Sequence, residues 1–165
     1  MSIASLYCCQ IHYSNNGKTY FAIGFKNDSL GYELRSKYFK GSCSPKQITS
    51  ICSGQSTAMV FEGFMDFLSF LSLPAGLSRF PADYFILNSV SLVKNVLQVL
   101  KSYRRIMTFL DNDAAGENCS QELQQRFKEK MLNLSYLFSP YKDLNDFLCS
   151  QAPSKEIPLQ IPEPP

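Results

Sequence analysis

The sequence predicts an α/β fold with a four-stranded, mainly parallel sheet that is flanked by helices and preceded by a small β-rich segment. Short apolar runs, of which 57–61 is the clearest, alternate with longer segments of helical character. Such runs are typical of strands covered on both faces, and the alternation is typical of a parallel sheet. The chain has 165 residues, 45% of them hydrophobic, which suffices for one ordinary core.

The elements of this sheet can be placed in order along the chain. Each predicted strand is a short apolar run, and the four runs are 57–61, 84–87, 106–110 and 134–138. The predicted helices lie between and after them, at 64–73, 88–103, 114–130 and 144–149. Pro74 and Gly76 end the first helix, since proline cannot continue it.

The residues before this sheet predict a β-hairpin. Aromatic and β-branched runs at 18–25 and 31–39 flank the turn-forming residues 27–29. The last fifteen residues contain five prolines, which is typical of a disordered or extended tail. We therefore expect a hairpin-containing basic and aromatic segment at 1–55, an α/β domain at 56–150 and a proline-rich tail at 151–165.

Composition excludes several classes of protein. There are 16 Lys and Arg residues against 14 Asp and Glu residues, so any attraction to nucleic acid must come from local patches. The six cysteines lack C-x-x-C spacing and His12 is the single histidine, which disfavours a zinc site. No secretory signal or membrane-length apolar run is present, so we expect a cytoplasmic protein with reduced thiols and no membrane partner.

Acidic residues follow three of the predicted strands. Since parallel strands present their carboxyl ends at one edge, these side chains should gather there. Asp111 and Asp113 should point to the same side of an extended segment and repel each other unless a cation lies between them. Oxygen ligands of this kind suit Mg²⁺. The polar residues concerned are Glu62, Asp66, Asp111, Asp113, Lys142, Asp143 and Asp146.

Each of these elements also has an ordinary explanation. Glu62-Gly63 could be a turn, Asp113 a helix N-cap, and 142–146 a solvated helix start. Asp66 could be a solvent-facing helix residue. Three such elements at successive strand ends are much less expected by chance than any one of them.

Three motifs carry a resemblance to a known family. The segment 59–66, Met-Val-Phe-Glu-Gly-Phe-Met-Asp, resembles the first TOPRIM motif, and 107–116, with Asp111-Asn112-Asp113 and Gly116, resembles the second. The segment 141–148, with Lys-Asp-Leu-Asn-Asp, resembles a signature of the DnaG-type DNA primases. Together the motifs cover about 56–149. The sequence is thus similar to the TOPRIM family and, within it, to the primase branch.

The resemblance implies roles for particular residues. Glu62 would be the general base or acid, and Glu62, Asp111 and Asp113 would hold Mg²⁺, for which Mn²⁺ could substitute. Asp66, Lys142, Asp143 and Asp146 would line the nucleotide-facing surface.

Basic residues near the hairpin are candidates for nucleic-acid contacts. Basic and aromatic side chains on one hairpin can bind template phosphates and stack on bases, although an ordinary charged outer face is an equally good interpretation. The residues expected to contact nucleic acid are Arg35, Lys37, Lys40 and Arg79.

The implied function is synthesis of short RNA primers on a single-stranded DNA template during DNA replication. Ribonucleotides would be the substrates, and a replicative helicase could be a partner. DnaG-type primases carry a zinc-binding module that this sequence lacks, so we expect a fragment or a mobile-element version, which could be inactive alone. Two alternatives stay open: a TOPRIM-type metal-dependent nuclease or related strand-cleaving enzyme, and a non-catalytic nucleic-acid-binding module of a plasmid or conjugative element.

Overall fold

Two β-sheets and the helices packed on them form the part of the chain that the structure, a computed structural model, describes: residues 3–73 and 80–151. The first sheet is antiparallel, in the order β1-β2-β3-β4, and follows the short helix α1 (Ala4–Tyr7). Its strands are β1 (Cys8–Asn15), β2 (Lys18–Lys26), β3 (Tyr32–Arg35) and β4 (Lys40–Cys43). The predicted hairpin is therefore present as β2 and β3, which pair antiparallel.

Asn27 shapes the turn of this hairpin. Its Oδ1 accepts hydrogen bonds from the backbone N–H groups of Ser29, at 3.0 Å, and Gly31, at 2.9 Å. Its Nδ2 donates to the carbonyl oxygen of Pro45 at 2.8 Å. The side chain thus replaces backbone partners inside the turn, which is the usual function of asparagine in such loops.

The second sheet has five strands in the order β5-β7-β6-β8-β9. Strands β7, β6, β8 and β9 are parallel to one another, and the edge strand β5 pairs antiparallel with β7. The bounds are β5 (Thr49–Ile51), β6 (Thr57–Phe61), β7 (Asp83–Ile86), β8 (Arg105–Phe109) and β9 (Met131–Asn133). The predicted α/β class and mainly parallel sheet are confirmed, with β5 as an additional edge strand.

The predicted fourth strand is misplaced. Strand β9 ends at Asn133, and Ser135–Phe138 forms a 3₁₀ helix instead of a strand. Ser135 explains the change, because its hydroxyl donates to the carbonyl oxygen of Leu110 at 2.7 Å and accepts from the Leu110 N–H at 3.1 Å. A side chain therefore takes the hydrogen bonds that a continued strand would have made with its backbone.

Helices cover both faces of the second sheet. Their bounds are α2 (Phe64–Ser72), α3 (Leu97–Leu100), α4 (Ala114–Phe127) and α5 (Leu144–Ser150), with 3₁₀ helices at Val90–Asn95 and Lys128–Lys130. The single helix predicted at 88–103 is thus a 3₁₀ helix followed by α3. Four valines lie in this stretch, and β-branched side chains lower the propensity for a regular α-helix. Helix α4 ends earlier than predicted, at Phe127, since Lys128 has a φ of 47°.

The core lies on the two faces of this sheet. Met59 and Phe61 point toward α2 and α5, while Ala58 and Val60 point toward α3 and α4. Phe25 from the first sheet stacks on Phe64 of α2, with ring centroids 5.1 Å apart and planes 7° apart. This contact attaches the antiparallel sheet to the helix that follows β6, and it places the two sheets on either side of one cleft.

Some expectations concern features outside this core. Residues 74–79, with Arg79, and the expected tail at 152–165 lie outside the described residues. All six cysteines are free, which agrees with the expected reduced thiols. Among the described residues, no helix has the length and apolar character needed to cross a membrane. The division into segments at 1–55 and 56–150 stays a prediction.

Candidate active site

A cleft of about 560 Å³ lies at the carboxyl ends of β6 and β8, between the two sheets. One wall is acidic and comes from the loops after these strands. The other is largely basic and comes from β3, β4 and the residues after β4. The polar and charged residues that line it are Glu33, Arg35, Lys40, Lys46, Glu62, Asp66, Asn88, Ser89, Asp111, Lys142, Asp143, Asn145 and Asp146.

Glu62 and Asp111 meet because β6 and β8 are neighbours. Phe61 pairs with Phe109 in parallel register, so the residues that follow emerge side by side. The backbone N–H of Asp111 donates to Glu62 Oε2 at 3.2 Å. Two elements far apart in sequence are thereby joined at the sheet edge, as the strand assignment predicted.

Asp111 and Asp113 share one cation. The Nζ of Lys142 lies 3.3 Å from Asp111 Oδ2 and 3.4 Å from Asp113 Oδ2. Asp113 is also the N-cap of α4, with its Oδ1 accepting from the N–H groups of Ala115 and Gly116. Asp113 is therefore the N-cap of α4 through one oxygen and the ion-pair partner of Lys142 through the other, while its role as a metal ligand stays a prediction.

Asn112 holds the loop of Lys142 against these carboxylates, and the sequence analysis missed it. Its Nδ2 donates to the carbonyl oxygens of Ser135, at 3.2 Å, and Tyr141, at 2.9 Å. Its N–H donates to the carbonyl oxygen of Lys142 at 2.6 Å. In an extended segment the side chain of Asn112 points to the opposite side from Asp111 and Asp113. This alternation was the signal in the sequence from which a positioning role could have been predicted.

Asp66 is a buried carboxyl group rather than a solvent-facing one. Only 7% of the residue is exposed, and its Oδ1 accepts from the N–H of Asn145 at 3.2 Å. Ser69 donates to Asn145 Oδ1, so α2 and α5 are linked at two points. Asp143 is the N-cap of α5, accepting from the N–H of Asp146 at 2.7 Å. Asp66, which was expected to face the nucleotide, thus also connects α2 to α5.

The pKa values of the acidic wall reflect burial and crowding. Burial, followed by the charge of Asp111, raises the pKa of Glu62. Burial also raises the pKa of Asp111, although Lys142 opposes the shift, and it raises the pKa of Asp66 to about 8. The pKa of Asp113 is lowered, chiefly by the hydrogen bond from Gly116. Crowded, desolvated carboxylates of this kind are stabilised by a further cation.

The basic wall contains two of the basic residues that were predicted to contact nucleic acid. Arg35 and Lys40 line the cleft, and Lys46, which the sequence analysis missed, lines it with them. Lys37 does not; its Nζ lies 5.3 Å from the ring centroid of Tyr38, a residue that is 87% exposed. Lys37 therefore lies outside the cleft, and its expected contact with nucleic acid stays a prediction.

The donor atoms at the acidic wall fit a hard divalent cation. Within the described residues, no three His, Cys, Asp or Glu side chains are already gathered as a coordination shell. Yet Asp111 and Asp113 both approach the ammonium group of Lys142, which demonstrates that their oxygens can share a single positive charge. Carboxylate oxygens with room for water and phosphate are the ligands that Mg²⁺ prefers.

Gly116 sets the distance between α4 and the first aspartate. A Cβ at this position would collide with the backbone carbonyl oxygen of Asp111. We expect Gly116→Ala to destabilise the fold by about 1–3 kcal/mol through overpacking, although alanine favours helices. Urea unfolding would measure it. Asn118→Ala, at an exposed position of α4, is the matched control and should stabilise slightly; equal behaviour of the two variants would contradict the close approach.

Comparison with known families decides the family. The profile described as Toprim-like matches residues 59–148, which include all three motifs and more than half of the chain. The chain belongs to the Toprim-like family. A second profile, a domain of unknown function (DUF8464), matches residues 1–44 of this Toprim-like protein. No curated protein matches the sequence.

Solved structures share the fold at low sequence identity. The primase fragment of the bacteriophage T7 primase-helicase protein matches at 17% identity and a TM-score of 0.58, over 83% of this chain and 60% of that one. A complex of the T7 lagging-strand DNA polymerase with primase domains of two gp4 subunits, bound to an RNA/DNA hybrid and dTTP, matches at 17% identity and a TM-score of 0.52, over 82% of this chain and 74% of that one. A DNA primase domain from Pseudomonas aeruginosa matches at 16% identity and a TM-score of 0.46, over 82% of this chain and 50% of that one. The two T7 matches show that the Toprim-like chain has a primase-type fold, and the chain spans 60% of the length of the T7 primase fragment.

Proposed function

We propose that this protein is a metal-dependent nucleotidyltransferase that adds ribonucleotides to a 3′-hydroxyl group and makes short RNA primers on single-stranded DNA during replication. One observation carries the proposal: Asp111 and Asp113, which follow β8, converge on the ammonium group of Lys142, and this group lines the cleft together with Asp111 and Glu62. The opposite wall supplies Arg35, Lys40 and Lys46 for phosphate groups. An acidic and a basic wall face to face suit a reaction between a metal-bound phosphate and a nucleic-acid strand.

Asp111 and Asp113, with Glu62, would hold Mg²⁺ or Mn²⁺, and Lys142 would move from its carboxylate partners toward the nucleotide phosphates. When bound, the cation supplies charge stabilisation at the transferred phosphoryl group and lowers the pKa of the attacking hydroxyl. Lys142 can make this exchange at low cost, because its side chain is 55% exposed.

Glu62 would accept the proton of the attacking hydroxyl group at Oε2. Burial and the nearby charge of Asp111 raise its pKa toward the range where a carboxylate is an effective base. The Asp111 N–H fixes the orientation of this oxygen. Asp66, Asp143 and Asp146 would complete the nucleotide-facing wall.

Phosphate groups of a nucleotide or of a nucleic-acid strand would lie along the basic wall. Arg35 and Lys40 are positioned by β3 and β4, which pair at these two residues. Phosphate contacts of this kind fix the register of a strand without reading its sequence. The T7 relative is part of a primase-helicase protein, and we propose that a helicase also partners this chain.

The test is incorporation of labelled ribonucleotides on single-stranded DNA with Mg²⁺, Mn²⁺ or EDTA. We expect short products only with a divalent cation. The cation should also raise the midpoint of thermal unfolding, since binding to the native state stabilises it. Absence of products with either metal would contradict primer synthesis by this chain. Cutting of DNA without added nucleotides would instead support the nuclease alternative.

A further inference from the structure

Glu33 is an unexplained carboxylate in the basic wall. It lies in β3, lines the cleft, and is 8% exposed. Its Oε1 is buried and has no hydrogen-bond partner among the described residues. Burial raises the pKa of Glu33, whereas the charges of Lys46 and then Lys40 lower it. Neither lysine comes within ion-pair distance: the ion pairs of the described chain involve Lys142 and Arg126.

A buried acceptor without a donor is costly, and most such groups in native proteins are satisfied. A ligand that donates a hydrogen bond inside the cleft would remove this cost. Glu33 lines the cleft although Oε1 itself is shielded from solvent, so a small rotation of the carboxyl group would bring this oxygen to an O–H or N–H group of a bound molecule.

The strand register places phosphate-binding groups next to Glu33. Arg35 lies two residues further along β3, on the same face. Lys40 pairs with Arg35, and Ser42 pairs with Glu33, so Lys40 is the diagonal neighbour of Glu33 on that face. A phosphate at Arg35 and Lys40 would leave the carboxylate within reach of groups close to that phosphate.

We infer that Glu33 accepts a hydrogen bond from the 2′-hydroxyl group of a ribonucleotide whose phosphates lie against Arg35 and Lys40. The inference rests on the proposed function for the class of ligand. Sugar hydroxyls are the O–H donors nearest to the phosphates of a nucleotide, whereas base amino groups are more distant. A carboxylate repels phosphate itself, and a 2′-deoxyribose has no hydroxyl group at this position to donate to it, so Glu33 selects ribonucleotides. Acidic side chains bind ribose hydroxyls in the same way in dinucleotide-binding folds.

The experiment is equilibrium binding of ATP and 2′-deoxy-ATP, and of three-nucleotide RNA and DNA oligomers, in Mg²⁺ and in EDTA. The wild-type protein should prefer the ribo form about tenfold or more, the usual effect of leaving a buried polar group unpaired. The preference resides either in the free nucleotide or in the strand, and the two arms of the experiment distinguish these sources.

Three variants separate the contributions. Glu33→Met keeps an unbranched chain but removes the acceptor, so the ribo preference should fall to about one. Glu33→Gln keeps one acceptor oxygen and should retain part of it. Lys40→Gln should weaken ribo and deoxy ligands alike, with the ratio unchanged. Glu129→Gln alters an exposed carboxylate before β9, at the opposite edge of the sheet, and is the control. Thermal unfolding should find all four variants folded.

The outcomes distinguish this inference from the proposed function. Loss of the ribo preference in Glu33→Met supports the inference, even if no nucleotide is incorporated. Three results would overturn the inference, even if primers are made. The wild-type protein could bind ATP and 2′-deoxy-ATP equally, it could bind neither, or its ribo preference could survive in Glu33→Met. If the wild-type protein distinguished between bases and Glu33→Met no longer did, the carboxylate would contact a base instead of the sugar, and this result would also overturn the inference.

Discussion

Asp111→Asn should lower nucleotide incorporation by a factor on the order of 10³, because a neutral amide lacks the negative charge with which the carboxylate holds a divalent cation in the reacting site. The change keeps the shape of the side chain, and the Asp111 backbone N–H still donates to Glu62. The rise in unfolding temperature on adding Mg²⁺ should disappear with the activity. Steady-state incorporation and thermal unfolding, measured on the same samples, provide both readouts.

The same variant should be at least as stable as the wild-type protein in EDTA. Burial raises the pKa of Asp111, which means that the ionised carboxylate is disfavoured in the folded state despite Lys142. Loss of activity without loss of stability would place Asp111 in the reacting site. Glu129→Gln should change neither property. Full activity of Asp111→Asn would contradict the metal assignment, and loss of folding would contradict the electrostatic argument.

Asp66→Asn should stabilise the protein at alkaline pH. The pKa of Asp66 is about 8 in the folded state, because the group is buried near Asp143 and Asp111. An unfolded aspartate releases its proton near pH 4, whereas the folded one keeps it until about pH 8. Stability contributed by the protonated form is therefore present below pH 4 and is lost as the pH rises to 8. The variant has no proton to lose, and its amide oxygen can still accept from Asn145.

The expected difference follows from the size of the shift. Wild type and Asp66→Asn should be nearly equal at pH 4, and the variant should be more stable at pH 8 by several kcal/mol, on the order of 4. Urea unfolding in EDTA at intervals between pH 4 and pH 9 would measure it. Parallel stability curves for the two proteins would contradict the raised pKa. Glu129→Gln, again as the control, should follow the wild-type curve.

The sequence predicted the centre of the fold because its signals there are local. Strands β6, β7 and β8 are short apolar runs, and buried parallel strands have this pattern wherever they occur. Glu62 and Asp111 directly follow two of these strands, so topology alone brings them to one edge. The family match at 59–148 covers the same region.

The parts that could not be predicted depend on contacts between distant residues. Strand β5 is only three residues long and becomes a strand by pairing with β7. Ser135 ends β9 through its bonds to Leu110, more than twenty positions earlier in the chain. The cleft position of Lys46 and the burial of Glu33 depend on how the first sheet packs on α2, which the stacking of Phe25 on Phe64 determines. A local pattern contains none of this information.

Strand β5 has a consequence for the exposure of the parallel sheet. It lies before residue 56, yet it covers the outer edge of β7, and Thr49 also donates from its hydroxyl to the carbonyl oxygen of Lys26 in β2. Without residues 1–55, β7 would present unpaired N–H and C=O groups to solvent, and Phe64 would lose the ring that shields it. Uncovered edges of this kind recruit strands from other molecules and lead to aggregation. The N-terminal segment thus covers a sheet edge that would otherwise be open to other molecules, whatever it contributes to substrate binding.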